Sequence, residues 1–162
     1  YYLIFLHNGV NYIMAFEAKA KRIVKVPKSY FWKRLRAFEE IKSLLPENIL
    51  EVKLPEDFSN SIGDVRYVYL GDPYPGEVIE RLDSFYDDSY LTYSILDKSC
   101  LPMENYVACV SLKEISEKET EVDWCSHFKP VDASEEEVSE LLSNLYYLIF
   151  DNIEKQYLET NN

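Results

Sequence analysis

Two charged residues stand where strand parity turns them toward apolar neighbours. In VRYVYL, Arg66 shares a face with Val68 and Leu70, and in EVIERLDSFY, Glu80 shares one with Val78 and Leu82, because successive side chains of a strand alternate between its faces. If the apolar partners mark the inside, an arginine and a carboxylate both point inward. Burying either charge alone is costly, and pairing is the usual remedy. One reading of the two is a structural ion pair. The other is a polar anchor, or a general acid/base beside a cation, at the floor of an apolar pocket.

Hydroxyls and ring walls are the next candidates. Tyr93 lies on one face with Leu91 and Ile95, and Tyr106 begins a face continued by Ala108, Val110 and Leu112. Each can offer a hydroxyl to a bound molecule, or be a core tyrosine whose hydroxyl reaches the rim. In ETEVDWCSHF, alternation puts Val122, Trp124, Ser126 and Phe128 on one side and Asp123, Cys125 and His127 on the other. Val122, Trp124 and Phe128 are read as wall or core, and His127 as outside. Cys109 and Cys125 have outward parity and no evident activating base, so nucleophilic catalysis is not expected. Three cysteines with no C-x-x-C spacing and two histidines indicate neither a disulfide framework nor a metal site, which makes a reducing cytoplasm the default. No cofactor is expected.

The elements that must position these residues follow from periodicity. Residues 16 to 26 place Phe16, Ala18, Ala20, Val24 and Val26 on one face, a strand with one wet side. Pro27 opens a short helical stretch carrying Phe31, Leu35 and Phe38, with a second short helix ending at Pro46. From Ile49 to Phe128 six strands are separated by turn residues, which predicts an antiparallel meander. The second strand of the chain is expected to turn Leu50, Val52 and Leu54 inward, with Lys53 on the other parity. Ser134 with Glu137 three residues later is a capping box, and Val138, Leu141, Leu142, Leu145, Ile149 and Ile153 then form the apolar stripe of a long helix. That stripe must be buried against the sheet. The expectation is an α+β chain: a curved antiparallel sheet of about seven strands around a long C-terminal helix, with two short helices after the first strand.

At 162 residues the chain is most simply one domain. Residues 14–162 are read as that domain. Residues 1–13, apolar but without a basic start or a small-residue cleavage site, make a poor signal peptide and are read as a leader before Met14, the alternative being a short extra element packed on the domain. Net charge is −12, yet residues 1 to 42 carry nine basic side chains against three acidic ones. An acidic bulk argues against nucleic acid, and the basic end reads as solvated strand and helix faces. No apolar run reaches the roughly 18 residues that span a bilayer.

The order strand, two short helices, six strands, long helix resembles the START / Bet v 1-like (SRPBCC) helix-grip superfamily. IGDVRYVYL, VIERLDSFYDDSYLTYSIL, NYVACVSL and VDWCSHFKPVDASEEEV look like segments of its polyketide cyclase/dehydrase branch, of abscisic-acid receptors and of lachrymatory-factor synthase. The resemblance covers about residues 16 to 160. It implies an internal cavity between sheet and C-terminal helix, where Arg66, Glu80, Tyr93, Tyr106, Val122, Trp124, Phe128, Leu145 and Ile149 would meet a small hydrophobic, aromatic or lipid-like molecule. It also implies an alternative, a cyclase/dehydrase-like enzyme in which Glu80 moves a proton and Arg66 stabilises developing charge. Lachrymatory-factor synthase resembles the chain at both residues, and there the pair is implicated in proton transfer. The receptors use a lysine on their second strand, which has no inward counterpart here, so a less acidic ligand is expected. The loops GDPYPG and DKSCLPMEN are the expected cavity mouth. The pattern leaves the oligomeric state open.

Overall fold

A computed structural model describes residues 6–7, 10–11 and 16–161. Two two-residue strands, β1 (Leu6–His7) and β2 (Val10–Asn11), pair as a ribbon. The reading of residues 1–13 as a leader falls mostly on residues outside those described. The main sheet has seven antiparallel strands in the order β3 (Phe16–Val24), β9 (Glu119–Pro130), β8 (Met103–Ser116), β7 (Tyr90–Leu96), β6 (Gly76–Tyr86), β5 (Val65–Leu70) and β4 (Ile49–Lys53). A meander therefore runs from β4 to β9, and β3 returns to the far edge beside β9. Crossing between the two edges are α1 (Lys28–Arg36), a 3-10 turn (Phe38–Glu40) and α2 (Ile41–Leu44).

Sheet curvature has local causes. Register shifts occur between Ile49 and Glu51, Leu82 and Ser84, Glu104 and Val107, and Glu114 and Ser116, and a bulge bends and twists the strand that carries it. Into the resulting concave face lies α3 (Glu135–Asn161). Its start is fixed as the sequence indicates. The Ser134 amide donates to Glu137 Oε2 at 2.7 Å, and the Glu137 amide donates to Ser134 Oγ at 3.2 Å. Three glutamates in the first turn further favour the positive end of the helix dipole.

The buried stripe of α3 comprises Val138, Leu142, Tyr146, Ile149, Phe150 and Ile153. It is broader than the aliphatic stripe read from the sequence: Tyr146 and Phe150 join it, and Leu141 and Leu145 are half-buried. Small residues on β3 let the helix approach. Ala18 and Ala20 are fully buried, and α3 also satisfies the free edge of β3. The Lys19 and Lys21 amides donate to Ser143 Oγ and Tyr147 Oη, each at 3.3 Å, and the Lys25 amide donates to Glu154 Oε1 at 2.6 Å. Ser139 Oγ donates to the Glu17 carbonyl at 2.9 Å. An exposed strand edge invites pairing with another chain; here the helix occupies it. At the other end of α3, Asn152 Nδ2 and Gln156 Nε2 donate to the Leu44 and Ser43 carbonyls at 2.8 and 2.6 Å, fastening it to α2.

The basic start of the chain meets acidic neighbours. Lys19 and Lys21 reach Asp123 at 3.7 and 3.6 Å, and Arg22 reaches Asp151 and Glu154 at 2.7 and 3.0 Å. These groups are partly exposed, and such pairs add little stability.

One inward assignment is corrected. On β4, Leu50 is 63% exposed, while Ile49 is buried and Val52 is packed against the core; Leu54, expected inward as well, lies one residue past the end of the strand and is 41% exposed. The extra residue of the bulge at Leu50 moves Ile49 onto the inner face opposite Leu70 and restores Val52 opposite Val68. Parity counted through a bulge is off by one on its near side.

Candidate functional site

Arg66 and Glu80 sit directly opposite each other on β5 and β6. Arg66 Nε donates to Glu80 Oε2 at 2.6 Å, with side-chain exposures of 6% and 14%. Arg66 Nη1 donates to the Phe38 carbonyl, and the guanidinium lies 3.7 Å from the Phe38 ring centre. The arginine is thus clamped from the strand side by a carboxylate and from the 3-10 turn by a carbonyl and a ring face. A planar, multi-donor cation suits this arrangement where an ammonium would not.

Both residues face a cavity of about 90 Å³ between sheet and α3. The sheet contributes Val68, Val78, Tyr93, Tyr106 and Trp124 to its wall. From α3 come Leu142, Leu145, Tyr146 and Ile149, and from the α2 end Ile41 and Leu45. Apart from Arg66, Glu80, the aromatic heteroatoms and the Met103 sulfur, the side chains of the wall are hydrocarbon. A second void of about 10 Å³ lies among Leu35, Phe38, Leu44 and Leu91, and Arg66, Tyr93 and Trp124 border both spaces.

Four hydroxyls form a continuous chain through the core. Tyr93 Oη and Tyr106 Oη are 2.9 Å apart, Tyr106 Oη and Tyr146 Oη 2.7 Å, and Tyr146 Oη donates to Ser126 Oγ at 2.6 Å. Strands β7, β8, β9 and helix α3 each supply one member. Burial, which penalises a charged phenolate, holds all three tyrosines above their ordinary value, well above it for Tyr93 and Tyr106. Tyr146 also stacks on Trp124, with ring centres 4.9 Å apart and planes at 10°. Buried hydroxyls that satisfy one another are cheap to hold; a lone one would not be.

Of the candidate residues read from the sequence, Arg66, Glu80, Tyr93, Tyr106, Trp124, Leu145 and Ile149 line this one cavity. Val122 and Phe128 do not: both are buried in the packed core away from its wall, because only the middle of β9 lies over the space. His127 is exposed. Cys109 and Cys125 face each other across β8 and β9 on the outer side, and burial pushes both thiols up, which lowers the thiolate fraction a nucleophile needs. Tyr146 and Ser126 were not singled out as site residues. Tyr146 follows Leu142 by four, and Ser126 shares the inward parity of Trp124, so the signal for each was present in the spacing. Among the described residues there is no group of three or more His, Cys, Asp or Glu that could hold a metal ion, and no helix long and apolar enough to cross a membrane.

The mouth is identifiable from exposure. Leu70, Ile95, Leu101 and Leu145 are half-buried, whereas the rest of the wall is mostly buried; Leu70, Ile95 and Leu101 adjoin the 71–75 turn and the 97–102 loop. The 97–102 loop touches the start of β6, just past that turn. The Cys100 amide donates to the Glu77 carbonyl at 3.3 Å, and a Cβ added to Gly76 would lie 2.6 Å from Cys100 Cβ. With φ at +146°, Gly76 also occupies backbone space closed to L side chains. Gly76→Ala is therefore expected to cost about 1–3 kcal/mol of backbone strain and to displace the 97–102 loop. Urea midpoints, with backbone amide shifts of residues 97–103, check this; an unchanged midpoint with unmoved loop signals would refute it.

No family model matches the chain, and no curated protein matches it. Solved structures do. The protein XoxI from Bacillus cereus is 27% identical, with 92% of this chain and 99% of that one covered at a TM-score of 0.76. An uncharacterised protein from Bacillus thuringiensis is also 27% identical, with 88% and 98% covered at a TM-score of 0.73.

Proposed function

We propose that the protein is a START / Bet v 1-like cavity protein that binds a small hydrophobic or aromatic molecule between sheet and α3. The observation that carries this reading is the apolar chamber of about 90 Å³ with a clamped Arg66–Glu80 pair in its wall. The wall is mostly apolar with a few polar groups, and an apolar cavity of about 150 Å³ takes up benzene. The chamber as it stands suits a guest of few heavy atoms. A larger guest requires the 97–102 loop to move outward, as loops at one end of a rigid sheet can. Concave, mostly apolar sites with a few placed polar groups are the usual form of small-molecule sites. The likeness to the two Bacillus proteins supports the fold.

Titration with benzene, followed by amide shifts, tests the reading. Perturbations centred on Tyr93, Leu142 and Ile149 are expected. Benzene at saturation with no shift at those residues would reject a ligand chamber.

A second reading is favoured by the same pair. Glu80 lies in the chamber wall beside a guanidinium and a chain of hydroxyls, the groups needed to move a proton and to stabilise developing negative charge. On this reading the protein is a cyclase/dehydrase-like enzyme. Glu80→Gln then lowers turnover at least about 100-fold, the usual scale of general acid/base catalysis, while binding changes little. Equal turnover in the two proteins excludes Glu80 as the acid/base.

A further inference from the structure

Two thiols face each other on the outer side of the sheet, away from the chamber. Cys109 and Cys125 are directly opposite on β8 and β9, within the unbroken register that runs from Val107 to Glu114. Both are free and half-buried. Their neighbours on that face, Val107, Ser111 and His127, are exposed, so the pair is open to small molecules in solvent. The third cysteine, Cys100, lies elsewhere, against Gly76.

The hydrogen-bond pattern fixes how far apart the two stand. The Lys19 and Lys21 amides point off the free edge of β3, to Ser143 and Tyr147. Lys19 therefore exchanges no backbone bonds with Cys125, its partner on β9. Bonded and non-bonded pairs alternate in an antiparallel ladder, so Cys125 turns its N–H and C=O toward β8. The Leu112 amide leaves β8 on the other side, for the Ser89 carbonyl, which puts Cys109 in the same phase. Cys109 and Cys125 are thus a hydrogen-bonded pair, with Cα atoms about 5.5 Å apart. Disulfides tolerate about 4.4–6.8 Å between Cα atoms, and the pair falls inside that range. Its Cβ atoms stand near the wide end of the cross-strand range, about 5.5 Å, whereas a disulfide holds them within about 4.5 Å. Closing that gap of about 1 Å strains the bridge, and a strained bridge is readily reduced.

We propose that Cys109 and Cys125 are a reversible thiol-oxidation site, closed to a cross-strand disulfide by exchange with a small-molecule disulfide. The surroundings set the order of attack. Burial disfavours the thiolate of both, and Asp123 adds to this at each; Glu17 also opposes the Cys125 thiolate, but Lys19 and the Cys109 amide favour it, and Cys109 has no such help. Cys125 therefore attacks first. Its thiolate displaces one small thiol, which takes up the proton that Cys125 gave. The Cys109 thiolate then attacks the Cys125 sulfur of the mixed disulfide, and the second small thiol leaves with the Cys109 proton. Two protein thiols lose two electrons, and one small disulfide becomes two thiols. The site lies on the opposite face of the sheet from the chamber and does not depend on what the chamber holds.

Oxidised glutathione is the probe, added in excess to the folded native chain at about pH 8.5, near the ordinary thiol value. Digestion without reductant is expected to yield a peptide pair cross-linked through Cys109 and Cys125, and dithiothreitol added to the folded protein to release it. In Cys100→Ser, which removes the remaining thiol, the intact mass falls by two hydrogens and both free thiols are lost. Cys109→Ser and Cys125→Ser each stop at a glutathione adduct on the cysteine that is left, and the adduct on Cys125 forms faster. The native digest needs no variant to fold. Glutathione held on both cysteines without a bridge overturns the proposal, as does a bridge to Cys100 or between two chains. So do thiols at 109 and 125 that stay free in the folded chain and react once urea unfolds it. A bridge that resists dithiothreitol until the chain unfolds would refute its reversibility, and a faster adduct on Cys109 the order of attack.

Discussion

Arg66→Met is expected to destabilise the protein by about 3–5 kcal/mol, the cost of removing one partner from a buried ion pair. Glu80 would be left in the chamber wall with its charge unmatched, and the Phe38 carbonyl and ring face would lose the guanidinium they hold. For a chain of this length the loss corresponds to a melting temperature lower by about 6–20 °C. Adding Glu80→Leu is expected to restore much of the stability, because two apolar groups of similar volume avoid the desolvation penalty altogether. The pair and the double variant, compared by chemical denaturation, distinguish a buried bridge from a solvated one. A single substitution costing less than about 1 kcal/mol would place the pair among ordinary surface salt bridges.

Alkaline conditions are the second severe test. Tyr93, Tyr106 and Tyr146 all keep their protons more tightly when folded than the value of about 10 they have in an unfolded chain, chiefly because burial penalises the phenolate. The folded state therefore binds more protons above that value. Its stability is whole below about pH 10 and falls as pH rises beyond it, by about 1.4 kcal/mol per pH unit for each tyrosine and about 4 for the three together. Total stabilities of 5–15 kcal/mol, typical of single domains, are consumed within a few pH units at that slope. Urea midpoints taken from about pH 9 to 11.5 should decline steeply, with tyrosinate absorbance from these residues appearing only on unfolding. Tyr106→Phe should make the slope shallower. A stability profile flat across that range would mean the hydroxyl chain is open to solvent.

Both tests concern groups visible in the sequence to different degrees. Arg66 and Glu80 were placed on inner faces by parity alone, and parity also put Tyr93, Tyr106 and Trp124 inside and His127 outside. The capping box at Ser134 and Glu137 marked where α3 begins. Each of these is a local regularity: a two-residue or near-four-residue period, or a spacing of three along one turn.

Other features required distant parts of the chain to meet. Leu50 fell outside because a bulge, invisible to a period-two count, inserted one residue before the pairing resumed at Glu51. Val122 and Phe128 have the same parity as Trp124, yet only Trp124 borders the chamber. Covering of the β3 edge by Ser143, Tyr147 and Glu154 joins residues more than a hundred positions apart.

The amino-acid sequence by itself determined the main elements, their order and, where no bulge intervenes, which face of each is apolar, since alternation and helical period are properties of neighbouring residues. Only the tertiary structure decided that Arg66 and Glu80 touch, that three tyrosines and a serine from four elements share one line of hydroxyls, and that a chamber of about 90 Å³ is left between them. Those outcomes depend on register, bulges and the summed volumes of side chains packed from opposite sides, and no local period carries that information.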